Sequence, residues 1–251
     1  MDEGDEPRSV RRRLIHDPCD VNELRRRASR VAAALVRDRD VVGLGTGRTA
    51  ALVVEALAAR ASAESLSLRC VATSVATEML ARANGLDVRD ANEVASLDIA
   101  IDGADEVDGD LDLVKGLGGA LVRERLVERM AKRLVIVVDE EKLVASLGRG
   151  MIPVEIVPFG AAVTVARIEA LGVAGKIRGH GTGAPFSTDN GNWIVDLGLA
   201  DRTRLATPAS KRAFAAALKE ISGVVDHGLF LGMANEVVVG RRDGTVDTLR
   251  R

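Results

Sequence analysis

Apolar and polar positions along this chain fall into two alternating periods, one of helices and one of strands. A helical pattern runs from 22 to about 36, and the short apolar strand VVGL follows. The turn GTGRTA leads into ALVVEALAARA, which has the length and composition of a helix. LSLRCVAT alternates as a strand does, and ATEMLARANG continues as a helix ending at Gly85, a suitable C-cap. LDIAI is an apolar strand, a long glycine- and acid-rich loop follows, and a further helix is expected to start near Gly119. RLVIVVDEEK carries the run of β-branched residues typical of a strand covered on both faces. This alternation predicts an α/β protein with a parallel, doubly wound sheet.

The pattern changes after Gly148. PVEIV reads as a strand, GAAVTVARIEALG as a helix, AGKIRG and NWIVDLG as strands, TPASKRAFAAALKEISG as a helix and GVVDHG as a strand. The order β-α-β-β-α-β is that of a ferredoxin-like unit. A smaller α+β domain is therefore expected at 150–224, inserted into a larger one made of 19–149 and 225–251. The first 18 residues, with the charge run at 11–13, read as a poorly ordered, solvated tail.

Composition narrows the function. The net charge of −2 gives no general reason to expect nucleic acid, and a chain with no Tyr and the single Trp193 offers little for base stacking. No apolar run approaches the roughly 18 residues that span a bilayer, and the acidic start is no targeting signal. Cys19 and Cys70 are isolated, and His16, His180 and His227 are far apart. That spacing suggests neither a metal site nor a disulfide framework, and a cytoplasmic protein is the default.

Four stretches carry candidate chemistry. GLGTGRTA, at 43–50, lies between a strand and a helix, where backbone N–H groups and the helix dipole attract an anion. Gly45, Gly47 and Ala50 also fit a dinucleotide fingerprint, but the next strand ends Cys70-Val71-Ala72-Thr73 without the acid that binds a ribose hydroxyl. A phosphate cradle is favoured over NAD; a plain tight turn is the alternative, although it has no need of the Thr46 and Thr49 hydroxyls. DGADEVDGD places Asp102 and Asp105 directly after an apolar strand. A solvated acidic loop or a pair of metal ligands are the other readings, with no His nearby and no EF-hand spacing. Lys115 opens KGLGGAL and would bring positive charge beside several N–H donors, the equipment for stabilising an oxyanion, unless it is an ordinary surface lysine. Glu124 has Ala120, Leu121, Val127 and Glu128 as helical neighbours, none of them a cation. It therefore lacks the usual surface pairing and suits a general base better than a solvated charge.

With these residues assembled, the chain resembles the type A ribose-5-phosphate isomerases. The likeness rests on GLGTGRTA, TSVATEMLARANGL, DGADEVD, KGLGGALVRE, DEEKLVASLG followed by PVEIVPFG, TDNGNWIVD, and GLF near the end, in order over about 22–251. The resemblance implies a Rossmann-like, mostly parallel sheet with a ferredoxin-like insertion. It implies interconversion of D-ribose 5-phosphate and D-ribulose 5-phosphate through an enediolate, in the non-oxidative pentose phosphate pathway, by a homodimer or homotetramer needing no metal or cofactor. Carried over residue by residue, it makes Glu124 the base that moves a proton between C2 and C1. Asp102 would assist ring opening and proton traffic between the oxygens, with Asp105 and Lys115 as polar partners. Lys115 and the N–H groups of Gly116, Leu117, Gly118 and Gly119 would stabilise the enediolate. Thr46, Gly47, Arg48 and Thr49 match the phosphate loop, Gly103 and Ala104 join Asp102 and Asp105 at the sugar, and Lys142 matches a further substrate-contacting lysine.

The chain leaves the family pattern at two places. Arg48 stands where the phosphate loop usually has Ser, and Leu117 where many members have Gly. A basic residue expected on the first helix near the phosphate has three candidates, Arg25, Arg26 and Arg27. Arg48 is the one feature favouring a non-catalytic sugar-phosphate-binding relative. A CoA-transferase-like enzyme with a glutamate nucleophile would share the core fold, but nothing suggests a CoA site.

Overall fold

The computed structural model describes residues 21–251 apart from Thr182; the tail expected at 1–18, with His16 and Cys19, lies outside the described residues. In chain order the first elements are α1 (Val21–Ala33), β1 (Val41–Leu44), α2 (Arg48–Glu64), β2 (Arg69–Ala72), α3 (Val75–Ala83) and β3 (Ile99–Gly103). Next come β4 (Glu106–Val107), β5 (Leu113–Val114), α4 (Leu121–Met130), β6 (Leu134–Asp139), β7 (Ile152–Ile156), α5 (Ala161–Glu169) and β8 (Ala174–Ile177). The chain closes with β9 (Trp193–Gly198), α6 (Pro208–Lys219), β10 (Val224–His227), β11 (Leu229–Phe230), β12 (Glu236–Gly240) and β13 (Val246–Arg250).

The large sheet has six strands in the order β13-β12-β6-β3-β1-β2. Every neighbouring pair is parallel except β12 and β13. Ile99, Ile101, Val135 and Val137 face one side, packed with residues of α1 and α2. Ala100, Leu134, Ile136 and Val138 face the other, packed with Leu121 of α4. With both faces covered, each strand reads as a near-continuous apolar run, and each buried aliphatic side chain contributes about 1.5–3 kcal/mol.

Two features escaped the sequence pattern. Helix α2 begins at Arg48, one residue after Gly47, whose φ of 104° glycine adopts without strain. The loop after β3 contains β4 and β5, which join β11 in a three-stranded antiparallel sheet. Strands of two residues are too short to show a period.

The remaining sheet has the order β10-β7-β9-β8, antiparallel throughout, with α5 and α6 as its helices. This is the β-α-β-β-α-β arrangement. Strand β10 runs to His227, so this sheet reaches past residue 224 before the chain returns to the large sheet at β12. Among the described residues no helix is long and apolar enough to cross a membrane.

Candidate active site

Strands β1, β3 and β6 are parallel neighbours, so their carboxyl ends share one edge. From β1 the chain steps to β2 on one side, then crosses back to β3 and on to β6 on the other. The reversal between β1 and β3 is where open α/β sheets bind ligands. A cavity of about 330 Å³ opens there, lined by Arg25, Thr46, Gly47, Arg48, Thr49, Gly103, Ala104, Asp105, Lys115, Gly116, Leu117, Gly118, Glu124 and Lys142. Of the residues expected at the site, Asp102 and Gly119 lie outside this lining: Asp102 is buried beneath it, and the Gly119 N–H donates to Gly116 O at 2.9 Å, which removes it from the expected oxyanion donors.

One end of the cavity is built from backbone. No side chain caps the start of α2, so its first N–H groups are open to an anion. The Thr46 hydroxyl is not part of this cradle. It turns into a cluster with Thr73 at 2.7 Å, Ser74 at 2.8 Å and Thr77 at 3.2 Å, and so shapes the turn instead of facing a ligand. Of the three candidate arginines on α1, Arg25 reaches the cavity: Asp139, at the end of β6, accepts from its Nε at 2.8 Å and holds it there. Arg26 is exposed, and Arg27 pairs with Glu23.

The glycine loop is shaped by close approaches. Gly116 has a φ of +99°, and a Cβ on it would lie 2.8 Å from Leu121; Gly119 has a φ of +83°, and a Cβ would lie 2.5 Å from Phe186. Leu117 keeps a negative φ and an exposed side chain, which is how the loop tolerates it. Its N–H donates to Asp105 Oδ2 at 3.0 Å, and its carbonyl accepts from Arg178 Nη1 at 2.9 Å. Arg178 is itself fixed by Asp196 of β9, so the small sheet pins the loop from outside. In a trans peptide the N–H points opposite to the C=O. Pinning the Leu117 carbonyl therefore aims the Gly118 N–H away from Arg178, and among the described residues no acceptor meets it. The TDNGN stretch is a structural loop, folded over Glu155, which accepts from Thr188, Asn190 and Asn192.

The other end of the cavity is a buried charge cluster. Asp102, Lys115, Glu124 and Glu128 are 1%, 2%, 3% and 3% exposed. Asp102 Oδ1 accepts from the N–H of Gly103 at 2.6 Å and of Thr46 at 3.1 Å. Gly45 makes room for it: a Cβ there would lie 2.0 Å from the carboxylate. Lys115 Nζ donates to Gly103 O at 2.8 Å and stands 2.8 Å from Asp102 Oδ2, 3.2 Å from Glu128 Oε1 and 3.5 Å from Glu124 Oε2. Lys115 is thus no surface lysine. Ringed by protein oxygens, it acts on a ligand chiefly as a charge. Glu124 lacks a cation three or four residues away on its own helix but finds one in this loop.

Burial pushes the Glu124 carboxyl up to about 8, against the opposing pull of Lys115 and with a further push from Asp102 and Asp105. Burial also raises Asp105, opposed by the Leu117 N–H. Lys115 would be lowered by burial, but its carboxylate neighbours outweigh that and hold it firmly charged. Glu128 was missed from sequence. A signal was present: Glu124 and Glu128 are like charges four apart, an unfavourable pair on a solvated helix face and a hint that the face is not solvated.

Fold and site together define a class: a doubly wound α/β protein with a buried carboxyl–lysine cluster facing an uncapped helix N-terminus across one cavity. The sequence profile of ribose 5-phosphate isomerase A (phosphoriboisomerase A) matches residues 69–244. A ribose-5-phosphate isomerase A from Thermomicrobium roseum is 50% identical over 220 residues, covering 87% of this chain and 90% of the relative. The solved ribose 5-phosphate isomerase of Plasmodium falciparum superposes with a TM-score of 0.86 at 35% identity, covering 92% of this chain and 99% of its own. A D-ribose-5-phosphate isomerase solved in complex with phospho-erythronic acid gives a TM-score of 0.86 at 32% identity, covering 92% and 100%. The chain belongs to the ribose 5-phosphate isomerase A family, and it is an isomerase.

Proposed function

We propose that this isomerase interconverts D-ribose 5-phosphate and D-ribulose 5-phosphate, with Glu124 carrying one proton between C2 and C1. The observation that supports it best is Glu124 itself, a buried carboxyl of raised proton affinity on the wall of a cavity whose other end is an uncapped helix N-terminus. The phosphate would sit on the N–H groups of Gly47, Arg48 and Thr49, among the charges of Arg25, Arg48 and Lys142. Its binding energy positions a group that does not itself react. The relative held with phospho-erythronic acid is in keeping with a phosphorylated sugar chain in such a cavity.

Starting from the open-chain aldose, Glu124 takes the proton from C2 and the electron pair moves to the C1 carbonyl oxygen, giving the enediolate. Lys115 and the Gly118 N–H stabilise that charge. Glu124 then returns the proton to C1, and the hydroxyl proton on O2 passes to O1, assisted by Asp102. The same Asp102 assists opening of the sugar ring, and Asp105 orients the loop through Leu117. The scheme invokes no metal and no cofactor. We also infer that 19–149 with 225–251 form the catalytic domain around an inserted 150–224, and that the enzyme works in the cytoplasm as a homodimer or homotetramer, in the non-oxidative pentose phosphate pathway. The test is direct assay of ribulose 5-phosphate formed from ribose 5-phosphate by the purified chain. Turnover supports the reading; binding of ribose 5-phosphate without turnover would replace it with a sugar-phosphate-binding protein.

A further inference from the structure

The cluster around Lys115 does not balance. Three carboxyls (Asp102, Glu124 and Glu128) and one ammonium are withdrawn from water, so full ionisation would leave two uncompensated negative charges. Burying an unpaired charge is costly enough that a group takes up a proton instead. Geometry separates the three. Asp102 has two backbone N–H donors on Oδ1 and the Lys115 ammonium 2.8 Å from Oδ2. Glu124 lines the cavity, where water or substrate reaches it. Glu128 does neither. It lies outside the cavity lining, both its oxygens are fully buried, and beyond the Lys115 ion pair neither meets a donor. Its carboxyl and that of Asp102 crowd the same ammonium, with Lys115 Nζ 3.2 Å from Glu128 Oε1 and 2.8 Å from Asp102 Oδ2, where two ionised carboxylates would repel each other.

We propose that Glu128 is a neutral carboxylic acid that donates its proton to Asp102 and accepts from Lys115, a positioning residue that leaves Glu124 as the cluster's titrating group. The groups facing Glu128 are Lys115 from the loop after β5, Asp102 from β3, and Glu124 and Arg125 from its own helix. Arg125 is engaged by Asp226 at 2.7 Å and stacks over Phe230 at 3.9 Å, a ring that Lys115 also approaches at 5.5 Å. Burial raises the Glu128 carboxyl well above the ordinary range, opposed by Lys115 and reinforced by Asp102 and Glu124, in accord with the geometry. The positions four apart on α4 put both glutamates on its buried face: one meets the substrate cavity, and the other holds the lysine and aspartate behind it.

This inference rests on the reading of Glu124 as the base, and two readouts separate them. The first is the pH profile of kcat/KM with ribose 5-phosphate. E128Q keeps a donor and an acceptor at this point and removes no charge from a neutral acid, so turnover should stay within about threefold of the parent and the acid limb should not move. An acid limb displaced downward by about one pH unit or more would show that a negative charge had been removed, and would overturn the proposal. E128L keeps the bulk without the polar atoms. Its kcat should fall about tenfold or more with KM little changed, and an unaltered kcat would equally overturn it. The second readout does not use activity. Infrared difference spectra of E124Q against the E124Q/E128Q double variant at neutral pH should show the C=O stretch of a protonated carboxyl that disappears with Glu128. A carboxylate band in its place refutes the proposal, whether or not E124Q has abolished turnover and whether or not E128L folds.

Discussion

Two lysines in this molecule are each surrounded by three acids, and they are not alike. Lys115 sits with Asp102, Glu124 and Glu128; Lys211, on α6, pairs with Asp108 at 2.6 Å, Asp110 at 3.0 Å and Asp112 at 2.6 Å. Both lysines are buried. In the second cluster, however, nearly every oxygen has a donor of its own. Asp108 Oδ1 accepts from the N–H groups of Asp110 and Asp112, each at 3.0 Å, and Asp112 Oδ1 accepts from Gly232 N at 2.8 Å and Arg251 at 3.1 Å. The Asp110 side chain is 55% exposed, so water meets it. Burial tends to raise Asp112, but its hydrogen bonds from Lys211 and Gly232 prevail and hold it below the usual carboxylate range. Around Lys115 the glutamates lack such donors, and their proton affinity rises. Each lysine faces three carboxyls, and Arg251 adds a second cation to the Lys211 cluster. The supply of N–H donors, water and that second cation leaves one cluster fully paired and the other with carboxyls of raised proton affinity. The same contrast settles the acidic triplet as a cation site: its carboxylate oxygens lie within 4.8 Å of one another, and the Lys211 ammonium already stands among them.

The comparison can be broken from either side. The largest effect should come from Glu124→Gln, which keeps size and removes the base: kcat should fall about 10²–10⁴-fold while ribose 5-phosphate still binds, as read by steady-state kinetics and by equilibrium binding. Turnover within a few-fold of the parent would reduce Glu124 to a structural charge. Lys211→Met should do the reverse. It strands three carboxylates and should lower stability by about 3 kcal/mol, seen as a lower urea midpoint at unchanged slope, while the folded fraction keeps its kcat.

The pH dependence should come next in size. The active form of Glu124 is the carboxylate, and its pKa in the folded protein is raised to about 8. Activity should therefore be lost as the pH falls through that value, with kcat/KM dropping about fiftyfold from pH 8 to pH 6. A flat profile over that range would place the base elsewhere. The smallest effect should be that of Arg48→Ser, at the proposed phosphate end of the cavity. Contact with a group that does not react stabilises ground and transition states alike, so KM should rise about three- to tenfold with kcat unchanged. A lowered KM would mean that Arg48 obstructs the cavity.

Much of this molecule was legible in one dimension. The apolar runs of β3 and β6 announced strands buried on both faces, and the strand order after Gly148 announced the second sheet, because side-chain period reports directly which faces are covered. Glu124 could be singled out because its helical neighbours are fixed by the helix itself. The remainder depended on residues far apart in sequence. Arg25 was chosen over Arg26 and Arg27 by Asp139, 114 residues away, which the sheet order brings to the mouth of the cavity. The Thr46 hydroxyl was turned away from the cavity by hydroxyls at the start of α3. Glu128 gained its role only when Lys115 and Asp102 arrived beside it from a loop and another strand. A sequence states which groups can ionise. Whether they do depends on the donors, charges and water that surround them, and those are assembled only by the packing of strands and helices distant along the chain.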